Sequence, residues 1–481
     1  MSDLLALSAI DLAALIERRE VSPVDVMRAV SANLDDTEPF LNAFCSRRDD
    51  EALAEAQAAE AEIMAGGYKG PLHGLPLAVK ENIAVAGTIS TAGAKFLKDN
   101  YNTEDAEAVA RLRAAGAIVV GKTNMFELAV GSRSVNPHYG NSRNPWGPNH
   151  DASGSSGGSA VAVAARQVPL ALGTDAAGSV RMPASMTGIV GLKQTQGRVS
   201  ARGIIASQNV TVDHIGPMTR TVADTAMMLQ VMAGYDPACA TVADRPVPDY
   251  RAALRTDLSG LKVGVPTNYY FDVIDPEVET GVRSAIRVLE ELGATAVPVE
   301  IPQLEEMMCA RVALGAEGLA LHDPWLRAHP QEYSDELRRR LLANYFIPGR
   351  DLARANRVRR ILKERLAAVM AEVDLMATPT TPVTTFPLDE TTVTVLDKRA
   401  GEMKQVPPMM LTLRLTSPGN FSGLPMINVP GGFTSAGFPI GFQLIARPFA
   451  EETLLGTAYA YEQATAWHTH TPPYMRVAVP A

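Results

Sequence analysis

A chain of 481 residues, 46% hydrophobic and 20% charged, has the make-up of a globular protein long enough to bury a large core. Its net charge of -9, with no basic face, gives no electrostatic footing for nucleic acid. Three widely spaced cysteines, Cys45, Cys239 and Cys309, exclude a disulfide framework and a cysteine-rich metal site, and suit a reducing, cytoplasmic compartment.

The first segment reads as helical. Met1-Ser-Asp-Leu lacks the basic start and continuous apolar core of a signal peptide. Ser8 is placed to cap a helix running to about Arg19, and Ser22-Pro23 supplies a cap and a first-turn proline for the next. Asp49 to Ala65 is a third helix, ended by Gly66-Gly67. Short apolar runs then alternate with amphipathic helices. Strands are predicted over Leu75–Val79, Ala117–Val120 and Pro169–Leu172, with a helix over Ala106–Ala115. Leu261–Val265, Pro276–Leu292 and Ala294–Val299 read as a strand-helix-strand step.

Residues 301–371 are mostly helical in pattern, and strands return at Asp374–Thr378, Met426–Val429 and Ile440–Ile445. The uncharged stretch Leu415–Ala446 is long enough to test as a membrane span. Four prolines, Pro418, Pro425, Pro430 and Pro439, would break any such helix, so buried strands and turns are expected and no membrane. The basic run Arg354–Arg365 has helical spacing and reads as a solvated helix face. The whole points to an α/β protein: one domain over 1–481 with a large mixed sheet wrapped by helices. Residues 300–410 read as a helical and loop-rich elaboration shaping a substrate pocket.

Two motifs mislead. Gly116-Ala-Ile-Val-Val-Gly121-Lys122-Thr123 matches the phosphate-loop pattern, but its middle residues are a buried strand and a helix precedes it, the reverse of the true order. Eight histidines invite a Ser-His-Asp triad, yet there is no G-x-S-x-G elbow and no histidine in the serine-rich segments. His138 and His150, on either side of Trp146, read as loop histidines. No metal-ligand spacing is present, and no metal or cofactor is expected.

Three segments carry chemistry. Lys80 closes the apolar run Leu75-Pro-Leu-Ala-Val. Ser153-Gly-Ser155-Ser156-Gly-Gly-Ser159 leads into a small-residue helix, Ala160–Ala165. Gly173-Thr-Asp-Ala-Ala-Gly-Ser179-Val-Arg-Met-Pro183 follows. A serine hydroxyl must lose its proton as it attacks a carbonyl, and a lysine kept neutral by burial can accept it. Backbone N–H groups around the small residues Asp175 to Ser179 can converge on a developing oxyanion. Arg181 is suited to pair with Asp175.

Together these residues resemble the amidase signature family. The likeness extends through Gly188-Ile-Val-Gly-Leu-Lys193, Gly197-Arg-Val-Ser200, Asp213-His-Ile-Gly-Pro217 and Gly423-Leu-Pro425, nearly the whole chain. The resemblance implies a Ser-Ser-Lys triad: Ser179 as nucleophile, Ser155 as a bridging serine with a cis peptide bond, and Lys80 as base. It implies an oxyanion hole from the N–H groups of Ala176, Ala177, Gly178 and Ser179, with Ser156, Asp175 and Arg181 in support. A small-molecule amide would be the substrate, with no cofactor, and a homodimer is compatible with it.

Two positions depart from the family's commonest pattern. Ser153 stands where glycine is usual, and Ala177 replaces the first glycine of a Gly-Gly-Ser run, adding a methyl near the acyl group. The competing reading is the glutaminase (A) subunit of a tRNA-dependent amidotransferase. Phe126 stands where that protein typically has aspartate, and Leu413 where it has another acidic residue, which weakens the case for glutamine. A non-catalytic binding protein on an amidase scaffold is a third reading, opposed by the intact Lys80, Ser155 and Ser179. Met125, Phe126 and His138, with Tyr139 nearby, are the expected pocket residues.

Overall fold

The computed structural model describes residues 4–205 and 211–475. An 11-stranded mixed sheet forms the centre. In chain order its strands are β1 (Phe44–Arg47), β2 (Pro76–Lys80), β3 (Ile118–Thr123), β4 (Leu170–Thr174), β5 (Val190–Lys193), β6 (Ile215–Thr219), β7 (Lys262–Pro266), β8 (Thr295–Val299), β9 (Leu375–Pro379), β10 (Met426–Phe433) and β11 (Pro439–Ala446). Across the sheet they run β1-β3-β2-β4-β6-β5-β10-β11-β9-β7-β8. Parallel pairing joins β3 to β2 and β2 to β4 at one end, and β9 to β7 and β7 to β8 at the other. The remaining pairs are antiparallel.

The alternation along single strands explains the layers. In β2, Leu77 and Val79 join one apolar core while Ala78 joins another, because successive side chains point to opposite faces. Leu170 and Leu172 face the first core and Ala171 the second. Helices Glu107–Ala114, Val222–Met232 and Glu451–Ala464 contribute to the first. Helices Pro23–Leu41 and Gly157–Ala164 contribute to the second. Strands covered on both sides read as near-continuous apolar runs, which is why they are visible in sequence.

The predicted caps are present. Ser8 accepts from the Asp11 N–H, and Ser22 caps the helix that Pro23 begins. The strand-helix-strand step forms the parallel pair β7 and β8 around helix Pro276–Glu291. Residues 301–371 hold four helices, the longest being Gly349–Glu372. Arg354 and Arg360 lie exposed on that helix, each paired with a carboxylate of the same helix, as a solvated face requires. Arg359, inclined inward, donates to the Phe421 carbonyl at 2.7 Å.

The structure differs from the sequence reading in three respects. β1, β5 and β6 were not anticipated: they are short, and Gly216 and Pro217 make β6 look like a turn. The uncharged stretch from Leu415 begins with a buried helix, Ser417–Ser422, before β10 and β11. A small sheet of Val273–Ile274, Val393–Asp397 and Glu402–Val406 stands apart from the main one. No helix among the described residues is long and apolar enough to cross a membrane.

Candidate active site

Lys80 ends β2, a strand buried along its whole length, and is shielded from solvent. Its Nζ donates to Ser155 Oγ at 2.8 Å and to Thr174 Oγ1 at 2.7 Å. Thr174 ends β4, the parallel neighbour, and its hydroxyl lies 3.3 Å from Asn82 Nδ2. Burial disfavours the ammonium form and pushes the Lys80 pKa down to about 7, against the opposing pull of the Asp213 and Asp175 charges. A substantial neutral fraction near pH 7 leaves this amine able to take a proton.

Ser155 is held by main-chain bonds on both sides. The Gly154–Ser155 peptide is cis. The Gly154 N–H donates to Ser132 O at 2.9 Å, and Ser155 O accepts from the Phe126 N–H at 3.1 Å. Residue 154 has to be glycine, since a Cβ would lie 2.1 Å from the Arg133 carbonyl oxygen. Ser153 adopts φ +62°, a left-handed conformation natural to glycine. Its side chain answers with a hydrogen bond to Ser132 O at 2.9 Å, and its N–H with one to Asp151 Oδ1 at 2.7 Å. The serine at this unusual position therefore keeps the loop's shape.

Ser156 links the remaining segments. Its hydroxyl lies 3.2 Å from both the N–H and the carbonyl of Thr174, and its N–H donates to Ser179 O at 3.3 Å. Ser179 sits just before helix Arg181–Thr187, 6% exposed, its Oγ making no hydrogen bond to a described residue. The Ser155 and Ser179 hydroxyls are not bonded to each other in this resting state.

Asp175 organises the loop before Ser179. Arg181 forms a two-point pair with it, at 3.0 Å from each nitrogen used. Asn420 Nδ2 donates to its carbonyl and to Oδ1, both at 2.8 Å. Burial alone would raise the pKa of this carboxyl. The charge and hydrogen bonds of Arg181, the Asn420 bond and the Lys193 charge outweigh it, so the group stays ionised well below the usual range.

One expected oxyanion donor is diverted. The Gly178 N–H donates to Asp175 Oδ1 at 2.7 Å, because the ionised carboxylate curls back over its own loop. The N–H groups of Ala176, Ala177 and Ser179 have no acceptor among the described residues. Gly178 adopts φ +128°, and a Cβ there would meet Thr416 Oγ1 at 2.1 Å. Gly178→Ala is therefore expected to lower stability by about 1–3 kcal/mol and kcat by about a hundredfold or more. Chemical denaturation and steady-state kinetics on the same preparation measure both.

The three expected pocket residues lie elsewhere. The cavity beside Ala176 and Ala177 has a volume of about 300 Å³ and is lined by neither Met125, Phe126 nor His138. Met125 and Phe126 are buried, the Phe126 ring closing over Gly131 and its N–H bonding Ser155. His138 Nε2 lies 3.1 Å from the buried Glu127 carboxylate. Phe126 thus lies against the Ser155 main chain without lining this cavity. The cavity wall comes instead from distant segments, including Arg311, Arg340, Met410 and Leu413, with the Ala177 methyl on the loop side.

The misleading motifs also find their places. Lys122 of the phosphate-loop look-alike is buried at the end of β3 and donates to Ser90 Oγ at 2.7 Å and to the Ile83 carbonyl. Burial lowers its pKa to about 8. His150 packs against the Phe438 ring, away from the serines. His214, the histidine nearest the loop, has Nδ1 3.2 Å from the Asp175 carbonyl, and burial with the Lys193 charge lowers its pKa to about 3. No histidine bonds Ser179 among the described residues, and none of them forms a group of three metal-binding side chains.

Thr174, Asn82 and Asn420 were missed in sequence. A usable signal existed for the first: β2 and β4 are adjacent parallel strands ending on Lys80 and Thr174, and sites gather at the carboxyl ends of such strands. Asn420 lies in a distant helix and carries no local signature.

A family profile described as Amidase matches residues 25–455. The chain belongs to the amidase signature family. It is an enzyme acting on amide C–N bonds. It is 38% identical over 496 residues to the A-subunit of a glutamyl-tRNA(Gln) amidotransferase from Chloroflexus aurantiacus, covering 98% of this chain and 99% of that one. Among solved structures it resembles, with TM-score 0.89 and 33% identity over 95% of this chain and 98% of the other, one reported for a vestigial protein complex that reveals the evolutionary origins of an s-triazine catabolic enzyme. A bacterial aryl acylamidase of the amidase signature family is similar at TM-score 0.87 and 26% identity, covering 96% of this chain and 97% of that one.

Proposed function

We propose that this amidase-family enzyme hydrolyses a carboxylic amide through an acyl-enzyme on Ser179, with Ser155 as relay and Lys80 as base. The observation that carries it is the buried Lys80 amine 2.8 Å from Ser155 Oγ, beside a nearly enclosed Ser179. In the first step Ser179 Oγ bonds to the amide carbon while its proton passes to Ser155, whose own proton moves to Lys80 Nζ. The carbonyl oxygen takes the negative charge and meets the N–H groups of Ala176, Ala177 and Ser179. The proton returns through Ser155 to the amide nitrogen, the C–N bond breaks and the amine leaves. Water, deprotonated by the same relay, then cleaves the Ser179 ester.

A second reading is the glutaminase component of a tRNA-dependent amidotransferase, working with partner proteins. Its support is the name and near full-length match of the Chloroflexus relative. Against it stands the cavity lining, which among the described residues includes Leu413 and no acidic side chain to meet the ammonium group of glutamine. The two separate in one experiment: aliphatic, aryl and peptide C-terminal amides, anilides, esters and glutamine are assayed with the purified chain alone. Hydrolysis of several amides by the lone chain is expected. Turnover of glutamine only, and only once the partner proteins are added, would establish the second reading instead.

A further inference from the structure

Behind the oxyanion loop lies a buried pair that the mechanism above does not use: Lys193, which ends β5, and His214, immediately before β6. β4 and β6 are antiparallel neighbours, and their pairing continues past β4, the Asp175 N–H donating to His214 O at 2.9 Å. The His214 ring is thereby held beside the Asp175 carbonyl, with Nδ1 3.2 Å from its oxygen. On the other side of the ring, Nε2 lies 3.4 Å from Lys193 Nζ, which also donates to the Gln194 carbonyl at 3.1 Å.

The chemistry of these partners decides where the ring proton sits. A carbonyl oxygen only accepts, so Nδ1 carries the hydrogen. Burial and the Lys193 charge lower the ring's pKa to about 3 and keep it neutral, which leaves a lone pair on Nε2 for Lys193 to donate to. Lys193 is itself fully enclosed, and burial followed by the Arg181 charge brings its pKa down to about 7.

The carbonyl that His214 engages belongs to the Asp175–Ala176 peptide, which is trans. In a trans peptide the C=O and N–H point in opposite directions. With the oxygen turned towards His214 and Asn420, the Ala176 N–H is turned away from both, and Ala176 lines the cavity described above. Asn420 alone is a weak anchor. Its two amide hydrogens are divided among Asp175 O, Asp175 Oδ1 and, at 3.4 Å, Val212 O. His214 supplies a second donor to that peptide oxygen.

We propose that His214 and Lys193 are positioning residues for the oxyanion hole: the ring, protonated at Nδ1 and accepting from Lys193 at Nε2, fixes the Asp175–Ala176 peptide so that the Ala176 N–H faces the reacting carbonyl. The proposal rests on the amide-hydrolase reading above and adds to it the residues that aim one of its donors.

The tautomer is tested first, without turnover, on the full chain labelled with ¹⁵N only in histidine. The His214 signals, identified by their loss in His214→Asn, should show hydrogen on Nδ1 and none on Nε2. Kinetics follow, with the amide that the wild-type enzyme turns over fastest in the panel above. In His214→Ala, kcat should fall by about tenfold to a hundredfold with KM within about twofold of wild type, because the donor acts on the transition state. His214→Asn places an amide donor where Nδ1 stood and should recover kcat to within about threefold of wild type. Lys193→Met, which removes the donor to Nε2, should lower kcat by about threefold or more and gives a second reading if His214→Ala folds poorly. A ring protonated on Nε2, wild-type kcat in His214→Ala or Lys193→Met, or an equal loss in His214→Asn and His214→Ala would overturn the proposal. The hydrolase reading survives those results so long as wild type cleaves an amide and Ser179→Ala does not. If wild type cleaves no amide, both fail.

Discussion

Ser179→Ala is expected to reduce kcat/KM for any amide substrate by about 10⁴-fold or more while leaving the fold intact. Removing the nucleophile of an acyl-transfer site costs several orders of magnitude, and only the oxyanion donors and substrate binding remain to accelerate the reaction. Structural damage should be small. Ser179 Oγ holds no hydrogen bond to a described residue that the change would break, whereas its main-chain carbonyl keeps the bond from Ser156. The variant should melt within a few degrees of wild type and still bind substrate. Activity close to wild type would remove Ser179 from the mechanism.

Lys80→Met carries the second large effect. The side chain is similar in length, so the space at the end of β2 stays filled, but no proton acceptor remains behind Ser155. A drop of about 10²- to 10⁴-fold in kcat is expected, the range for loss of a positioned general base. Stability should change by no more than about 2 kcal/mol. The Ser155 hydroxyl loses a donor, Thr174 keeps Asn82 within reach, and a desolvated amine is gone from the interior. The pH profile gives an independent reading. Lys80 must be neutral to act, and burial sets its pKa at about 7. Below that value the ammonium form prevails, so kcat/KM should fall tenfold per pH unit on the acid side and level off above it. Lys80→Met should lose this limb. A wild-type profile flat from pH 5 to 9 would contradict the assignment.

The architecture and the grouping of the candidate site residues were legible in sequence to different depths. Lys80, Ser155 and Ser179 stand in dense, unusual local patterns, and local patterns are what a sequence displays. The layered α/β fold followed from alternation of apolar runs and amphipathic helices. The cavity did not. Arg311, Arg340 and Leu413 come from segments about 130 or more residues beyond Ser179, brought to it by helix packing that leaves no periodic trace. Met125, Phe126 and His138, the expected pocket residues, do not line this cavity: Met125 and Phe126 are buried, and His138 lies 3.1 Å from the Glu127 carboxylate. The diverted Gly178 N–H is a similar case: which amide meets substrate depends on where the Asp175 carboxylate points, and that depends on Arg181 and Asn420. β6 escaped notice because Gly216 and Pro217 weaken its strand character, although both sit within its pairing to β4.

The acyl group itself gives the most direct test. The enzyme is mixed with an activated p-nitrophenyl ester, quenched in acid within the first turnover, and digested for peptide mass mapping. The added acyl mass is expected on Ser179, to form more slowly below pH 7, and to be absent from Ser179→Ala. Acylation of Ser155 or of any other residue at the rate of turnover, or steady turnover with Ser179 never modified, would contradict the mechanism.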